Sequence, residues 1–198
     1  MQNLRSFYER LLRWERQKPQ ALVHEWPTDL REGVKNAFNK ATKIASLCNS
    51  ACHLKVGSTN QSVGNQVEKH CIERLRAVIE GFTISDCVGE GYPDKILAQN
   101  RTGLRLPLEV KATSCWDDKD TNRRVLTSSS KKLRQNFSPP IYHLLFTAVY
   151  NKDRDPITID RIRLDFLEPT TQVNVRLEAS VSHKILASSK PTNWLPQP

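Results

Sequence analysis

The sequence predicts an α/β domain: a central mixed β-sheet flanked by helices, with a helical extension at the N-terminus. Three observations predict it. From about residue 64 the hydrophobic periodicity runs helix, three strands, helix, strand. The run Ile141–Tyr150 is almost continuously apolar, as a strand covered on both faces must be. The chain has 198 residues, enough for one domain with its own core, so a single domain over 1–198 is expected.

The elements follow in order. Residues 2–17 read as a short amphipathic helix with Leu4, Phe7, Leu11 and Leu12 on one side. Lys18-Pro-Gln and Trp26-Pro break it from a second helix near 29–48, where Leu30, Val34, Phe38, Ala41 and Ala45 recur at helical spacing. Together these make a helical N-terminal region over 1–50. Residues 54–63 are polar and read as a loop. A third helix is expected from Asn65 to about Glu80, with Asn65 and Glu68 as a capping box, Cys71, Ile72, Leu75, Val78 and Ile79 as the apolar stripe, and Gly81 as the stop. Glu68 falls on that stripe. It is either the capping glutamate or a carboxylate aimed inward.

Phe82–Val88 reads as a first strand and Lys95–Gln99 as a second. Asn100-Arg-Thr-Gly103 reads as a turn and Leu104–Thr113 as a third strand. A polar, basic segment from Ser114 leads to a short helix near Ser128–Phe137, then to the apolar strand at 141–150. Additional strands are expected over 151–187. Ile157–Leu167 carries a slip at Asp160-Arg161 that suggests a bulge, and Thr171–Ala179 alternates. Residues 188–198 are Pro-rich and read as an irregular tail.

A formal charge of +9 and a pI near 9.5 favour a polyanionic partner, nucleic acid first and an anionic membrane surface second. No apolar stretch reaches the ~18 residues of a membrane span. The first ten residues carry charges where a signal peptide needs an apolar core, so a cytoplasmic protein is expected. Five cysteines without a secretory signal argue against a disulfide framework. Cys48-x3-Cys52-His53 and His70-Cys71 fit no common zinc motif.

The most informative feature is Asp94 in Gly91-Tyr-Pro-Asp94, followed by Glu109-Val-Lys111. The third strand alternates, with Leu104, Leu106, Leu108, Val110 and Ala112 on one face and Arg105, Pro107, Glu109, Lys111 and Thr113 on the other. Glu109 and Lys111 therefore share a face. Asp94 and Glu109 are equidistant from the centre of the intervening turn, so a simple hairpin sets them opposite each other. A three-residue loop with a bulge at Gly103 would shift that pairing by one. Opposed like charges destabilise a ladder, and a divalent cation between them would reverse the sign. The alternative is structural: a turn aspartate after Pro93 and a surface ion pair worth under about 1 kcal/mol. Asp117-Asp-Lys119 spells a similar motif in a polar stretch with no strand around it.

Pro93-Asp94 with Glu109-Val-Lys111, in this order of elements, resembles the PD-(D/E)xK nuclease superfamily, and among its branches looks most like a type II restriction endonuclease. The resemblance covers about 64–150 and implies a restriction-endonuclease-like catalytic core there. It implies Mg2+ held by Asp94, Glu109 and the Val110 carbonyl. Lys111 would hold and help deprotonate the attacking water and offset charge on the phosphate, with Glu68 as the helix glutamate near the metal. It further implies a homodimer cutting double-stranded DNA at a specific sequence. The segment from Trp116 to Arg134 offers six Lys and Arg between 119 and 134. Asn122, Arg123, Arg124, Ser128, Ser130, Lys131 and Lys132 are the expected DNA contacts, with Arg123 and Arg124 suited to guanine. Alternatives are a junction resolvase or repair nuclease of the same superfamily, and a DNA-binding protein without catalysis. The five histidines form no His-His or His-Asn pair of the ββα-metal kind, and neither a Ser/His/Asp triad nor a phosphate-cradling Gly loop is visible.

Overall fold

The structure is a computed structural model and describes residues 2–48, 51–52, 59–89, 91–114, 124–125, 130–173, 180–181 and 195. Its elements in chain order are β1 (Gln2–Asn3), α1 (Leu4–Trp14), α2 (Thr28–Ile44), β2 (Ala51–Cys52), α3 (Asn60–Val78), β3 (Phe82–Asp86), β4 (Lys95–Gln99), β5 (Arg105–Thr113), β6 (Arg124–Val125), α4 (Ser130–Asn136), β7 (His143–Asn151), β8 (Ile157–Leu167), β9 (Gln172–Val173) and β10 (Ser180–Val181). Six strands form one mixed sheet in the order β2-β8-β7-β5-β4-β3. The β3-β4-β5 meander is antiparallel, β5 pairs with β7 in parallel, and β8 returns antiparallel.

Helices cover both faces. Val34 and Phe38 of α2 and Val67, Cys71, Ile72 and Leu75 of α3 pack on Leu97, Leu106, Leu108, Val110, Leu144 and Phe146. On the opposite face, Leu4, Phe7, Tyr8, Leu11 and Leu12 of α1 and Leu133 of α4 pack on Ile96, Leu145 and Leu167. The apolar stripe expected for the first helix is thus the one α1 buries. The central β7 is buried along nearly its whole length, as its unbroken apolar run requires.

Two expectations are corrected. The third helix starts at Asn60 rather than Asn65. The Thr59 side chain accepts from the Ser62 backbone N–H and caps it. Asn65 therefore lies inside the helix, and Glu68 is no capping-box glutamate. The polar side of β5 is not a solvent face either, because Pro107, Glu109 and Thr113 are all buried. The tail is irregular at Leu195, as expected; that side chain is buried in the core cluster of α2 and α3, and its N–H donates to Ile162 O at 3.2 Å. The bulge expected in β8 is present: Val149 faces Arg161 and Tyr150 faces Ile159, leaving Asp160 as the extra residue. Residues 174–179 of the expected late strand lie outside the described residues. Among the described residues no helix is long and apolar enough to cross a membrane.

Candidate functional site

The β4–β5 hairpin sets the geometry. Lys95 pairs with Leu108 and Ala98 with Arg105, while Gln99 N–H reaches Leu104 O at 2.8 Å across the loop 100–103. Gly103 takes a positive φ of 70° in that loop. The bulged register does not occur. Continued by one step, the observed pairing sets Asp94 opposite Glu109, as turn symmetry predicts.

The next step explains why β4 stops. Val110 would face Pro93, which has no N–H to donate. The outer edge of β5 beyond Leu108 is therefore open, and carboxylates take its N–H groups. Asp94 Oδ2 accepts from Val110 N at 3.3 Å, and Glu68 Oε1 of α3 accepts from Ala112 N at 3.0 Å. The N–H and C=O of one residue point to the same edge of a strand, so the Val110 carbonyl also faces this edge. Glu68 therefore is the inward-aimed carboxylate, and it works at the strand edge.

Glu109 points to the α1 side of the sheet and is 1% exposed. Lys111, two residues on, places Nζ 2.5 Å from Glu109 Oε1 and 3.6 Å from Asp94 Oδ2, and Asp94 N–H donates to Glu109 Oε2 at 3.2 Å. The Lys111 side chain is 15% exposed. Glu109 and Lys111 form a buried pair rather than a surface one, and Asp94, its side chain 36% exposed, stands at the open end. Burial pushes the Glu109 carboxyl well above the usual range and the adjacent Asp94 charge adds to it, with Lys111 pulling against both. Burial alone would lower the Lys111 ammonium. The charges of Glu109, Asp94 and Glu68 outweigh it and hold the lysine above its ordinary range.

The loop carrying Asp94 is fixed by groups whose part was not foreseen. Tyr92 O–H donates to His143 Nδ1 at 2.5 Å, and His143 Nε2 donates to Leu22 O at 2.5 Å. Complete burial pushes His143 down to about 4, so the imidazole is neutral and this tautomer satisfies both nitrogens. Lys132 of α4 donates to Gly89 O and Gly91 O, both at 2.7 Å. Those two glycines take φ values of 107° and 76°, which few other residues adopt. Only Gly-x-Gly ahead of Tyr-Pro-Asp could have signalled such a loop.

Two of the expected DNA contacts are turned inward. Lys132 is 7% exposed and bound to the loop. Ser130 is fully buried; its N–H donates to Glu15 Oε1 at 2.8 Å, and its hydroxyl bonds the same carboxylate. A basic run reads as solvent-facing, but α4 is short and wedged between α1 and the Asp94 loop, which draws these side chains inward. Lys131 is exposed. Asn122, Arg123 and Ser128 lie outside the described residues, and Arg124 is described only as part of β6, paired with Val181.

A cleft of about 500 Å3 opens along α3, with Glu68, Gly89, Gly91, Asp94, Val110 and Lys132 in its wall. Glu109 and Lys111 reach Asp94 from behind that wall. Among the described residues no three His, Cys, Asp or Glu side chains cluster as a metal cage. The oxygen set gathered at Asp94 is instead two carboxylates and a strand-edge carbonyl. That donor set suits Mg2+, which takes one or two carboxylates and keeps several waters.

No protein-family model matches this chain, and searches of curated proteins and of solved structures gave no significant match.

Proposed function

We propose that the chain is a Mg2+-dependent DNA endonuclease of the PD-(D/E)xK kind, with a restriction-endonuclease-like core built from α3, β3, β4, β5, α4 and β7. The observation that carries it is the buried Glu109–Lys111 pair with the partly exposed Asp94 at its mouth, beside an open strand edge. A buried carboxylate raised in pKa, with a second carboxylate and a lysine in contact, costs the fold stability, and such groups cluster at functional sites.

Asp94, Glu109 and the Val110 carbonyl would hold Mg2+, which when bound supplies Lewis-acid polarisation and lowers the pKa of a bound water. Lys111 supplies fixed positive charge. Held protonated by three carboxylates, it is suited to offset the charge that develops on phosphate rather than to take up a proton. Glu68 holds the strand edge at Ala112 and adds negative charge beside the lysine. Lys132 and the Tyr92–His143 pair keep the Asp94 loop in place.

The sequence-specific form of this reading is a type II restriction endonuclease acting as a homodimer on double-stranded DNA. Digesting a plasmid of known sequence with Mg2+ and mapping the ends tests it. Fragments with one fixed terminal sequence support it. An intact plasmid over a range of divalent ions rejects it and leaves a DNA-binding protein without catalysis. Cutting confined to junctions or other structured DNA selects the structure-specific branch of the same chemistry.

A further inference from the structure

We propose that the carboxyl end of α1 docks a single-stranded segment of nucleic acid, with the Trp14 indole as the platform for an unpaired base. Among the described residues Trp14, Ile44 and Val88 are the large apolar side chains left exposed, and Trp14 is 80% exposed. Arg10 and Arg13 are exposed beside it. On a helix Arg10 and Trp14, four apart, and Arg10 and Arg13, three apart, are neighbours, so the three share one outward patch. Arg16 and Lys18, also exposed, extend it past the helix end.

The acidic residues of this stretch lie away from Trp14, with Glu9 adjoining only the Arg13 side of the patch. Glu15 is drawn onto α4, where it binds Ser130 and pairs with Arg134 at 3.4 Å. Glu9 faces the hollow between α1 and residues 19–25. The Glu15–Ser130 contact also joins the end of α1 to the start of α4, 115 residues apart in sequence.

The chemistry selects the partner. Guanidinium groups bind phosphates, and an indole face stacks on any base regardless of sequence. Inside an intact duplex the base faces are already stacked, so a tryptophan on an outward helix face meets one only where a strand is unpaired. An anionic lipid surface fits less well. It needs a continuous apolar face, and the apolar face of α1 is buried in the core. The inference rests on the nuclease reading only in taking DNA as the partner.

The test is binding by fluorescence anisotropy in Ca2+, comparing a blunt duplex with the same duplex bearing a single-stranded tail. Wild type should prefer the tailed form by roughly tenfold, and Trp14→Ala should lose that preference while keeping its affinity for the blunt duplex. Arg10→Ala with Arg13→Ala should weaken both and flatten the salt dependence. Equal binding of the two forms by wild type, or an unchanged preference in Trp14→Ala, overturns the proposal. Binding to phosphatidylserine vesicles that depends on Trp14, with no preference for the tail, overturns it in favour of lipid. Cleavage in Mg2+ without tail preference refutes this surface alone. Failure to bind either DNA removes the nuclease reading as well. Trp14 is exposed, so matching thermal melts for the variant and wild type are expected and exclude a folding artefact.

Discussion

Replacing Lys111 by Met isolates the buried charge on which the site depends. The substitution keeps the length of the side chain and removes the ammonium 2.5 Å from Glu109. Two limits bracket the cost. A surface pair would lose about 0–1 kcal/mol, and a buried carboxylate stripped of its partner about 3–5 kcal/mol. Glu109 is 1% exposed, which selects the second limit. The carboxyl can escape by taking a proton, and that caps the loss. Protonating a group of ordinary value 4.5 at pH 7 costs 2.5 units, or about 3.4 kcal/mol at 1.36 kcal/mol per unit. At pH 5.5 the cap falls to about 1.4 kcal/mol. The sign follows from linkage: the folded pKa of Glu109 already lies above the unfolded value, and removing Lys111 takes away the charge that pulls it down, so the added loss of stability grows as pH rises from about 4.5 toward the folded pKa. Urea unfolding at pH 5.5 and pH 7 measures both values. Lys111→Met should be destabilised by about 3 kcal/mol at pH 7 and by clearly less at pH 5.5, and adding Glu109→Gln should recover most of the loss. A loss within about 0.5 kcal/mol of zero at both pH values would refute the buried-pair reasoning.

Asp94→Ala and Glu109→Ala should each abolish single-turnover cleavage while duplex binding is kept or tightened, since each removes repulsion toward phosphate. Lys111→Ala should abolish cleavage with Mn2+ binding retained in calorimetry, because lysine is no metal ligand; full activity in Asp94→Ala would sink the site. Lys132→Met removes both bonds to the Gly89 and Gly91 carbonyls, so hydrogen exchange over 87–94 should quicken and Mn2+ affinity fall by roughly tenfold. Unchanged exchange there would show that Lys132 holds nothing. DNA affinity should fall steeply with salt through counterion release, and a flat log–log slope in filter binding would remove nucleic acid as the partner.

Where local pattern decides structure, the sequence was legible. The limits of β4 and β8, the bulge at Asp160 and the hairpin symmetry that brings Asp94 to Glu109 follow from period-two alternation and from counting residues about a turn. The start of α3 was not, because Thr59 and Asn65 are both competent caps. Gly64 then looks like a loop residue although it sits within the helix. A methyl there would lie 3.9 Å from Ala112 O, so that position brings helix and strand edge close together.

The site shows the same division more sharply. That Glu109 and Lys111 share a face is local and was readable; that the face is buried depends on α1, about a hundred residues away in sequence, and was not. The surface-pair alternative failed for that reason alone. The role of Glu68 lies between the two cases. Predicted strands of five and ten residues, joined by a symmetric turn, must leave the far end of the longer one unpaired. Continuing the register by even steps would have marked Val110 and Ala112 as the residues whose N–H and C=O face the open edge. Such groups need partners. A proline opposite Val110 excludes one from the neighbouring strand, so side-chain oxygens from elsewhere must come to that edge, and Asp94 and Glu68 do. The same requirement that stabilises the edge brings Asp94 to the residue whose carbonyl the proposed metal chemistry uses, and Glu68 to the next open N–H along it.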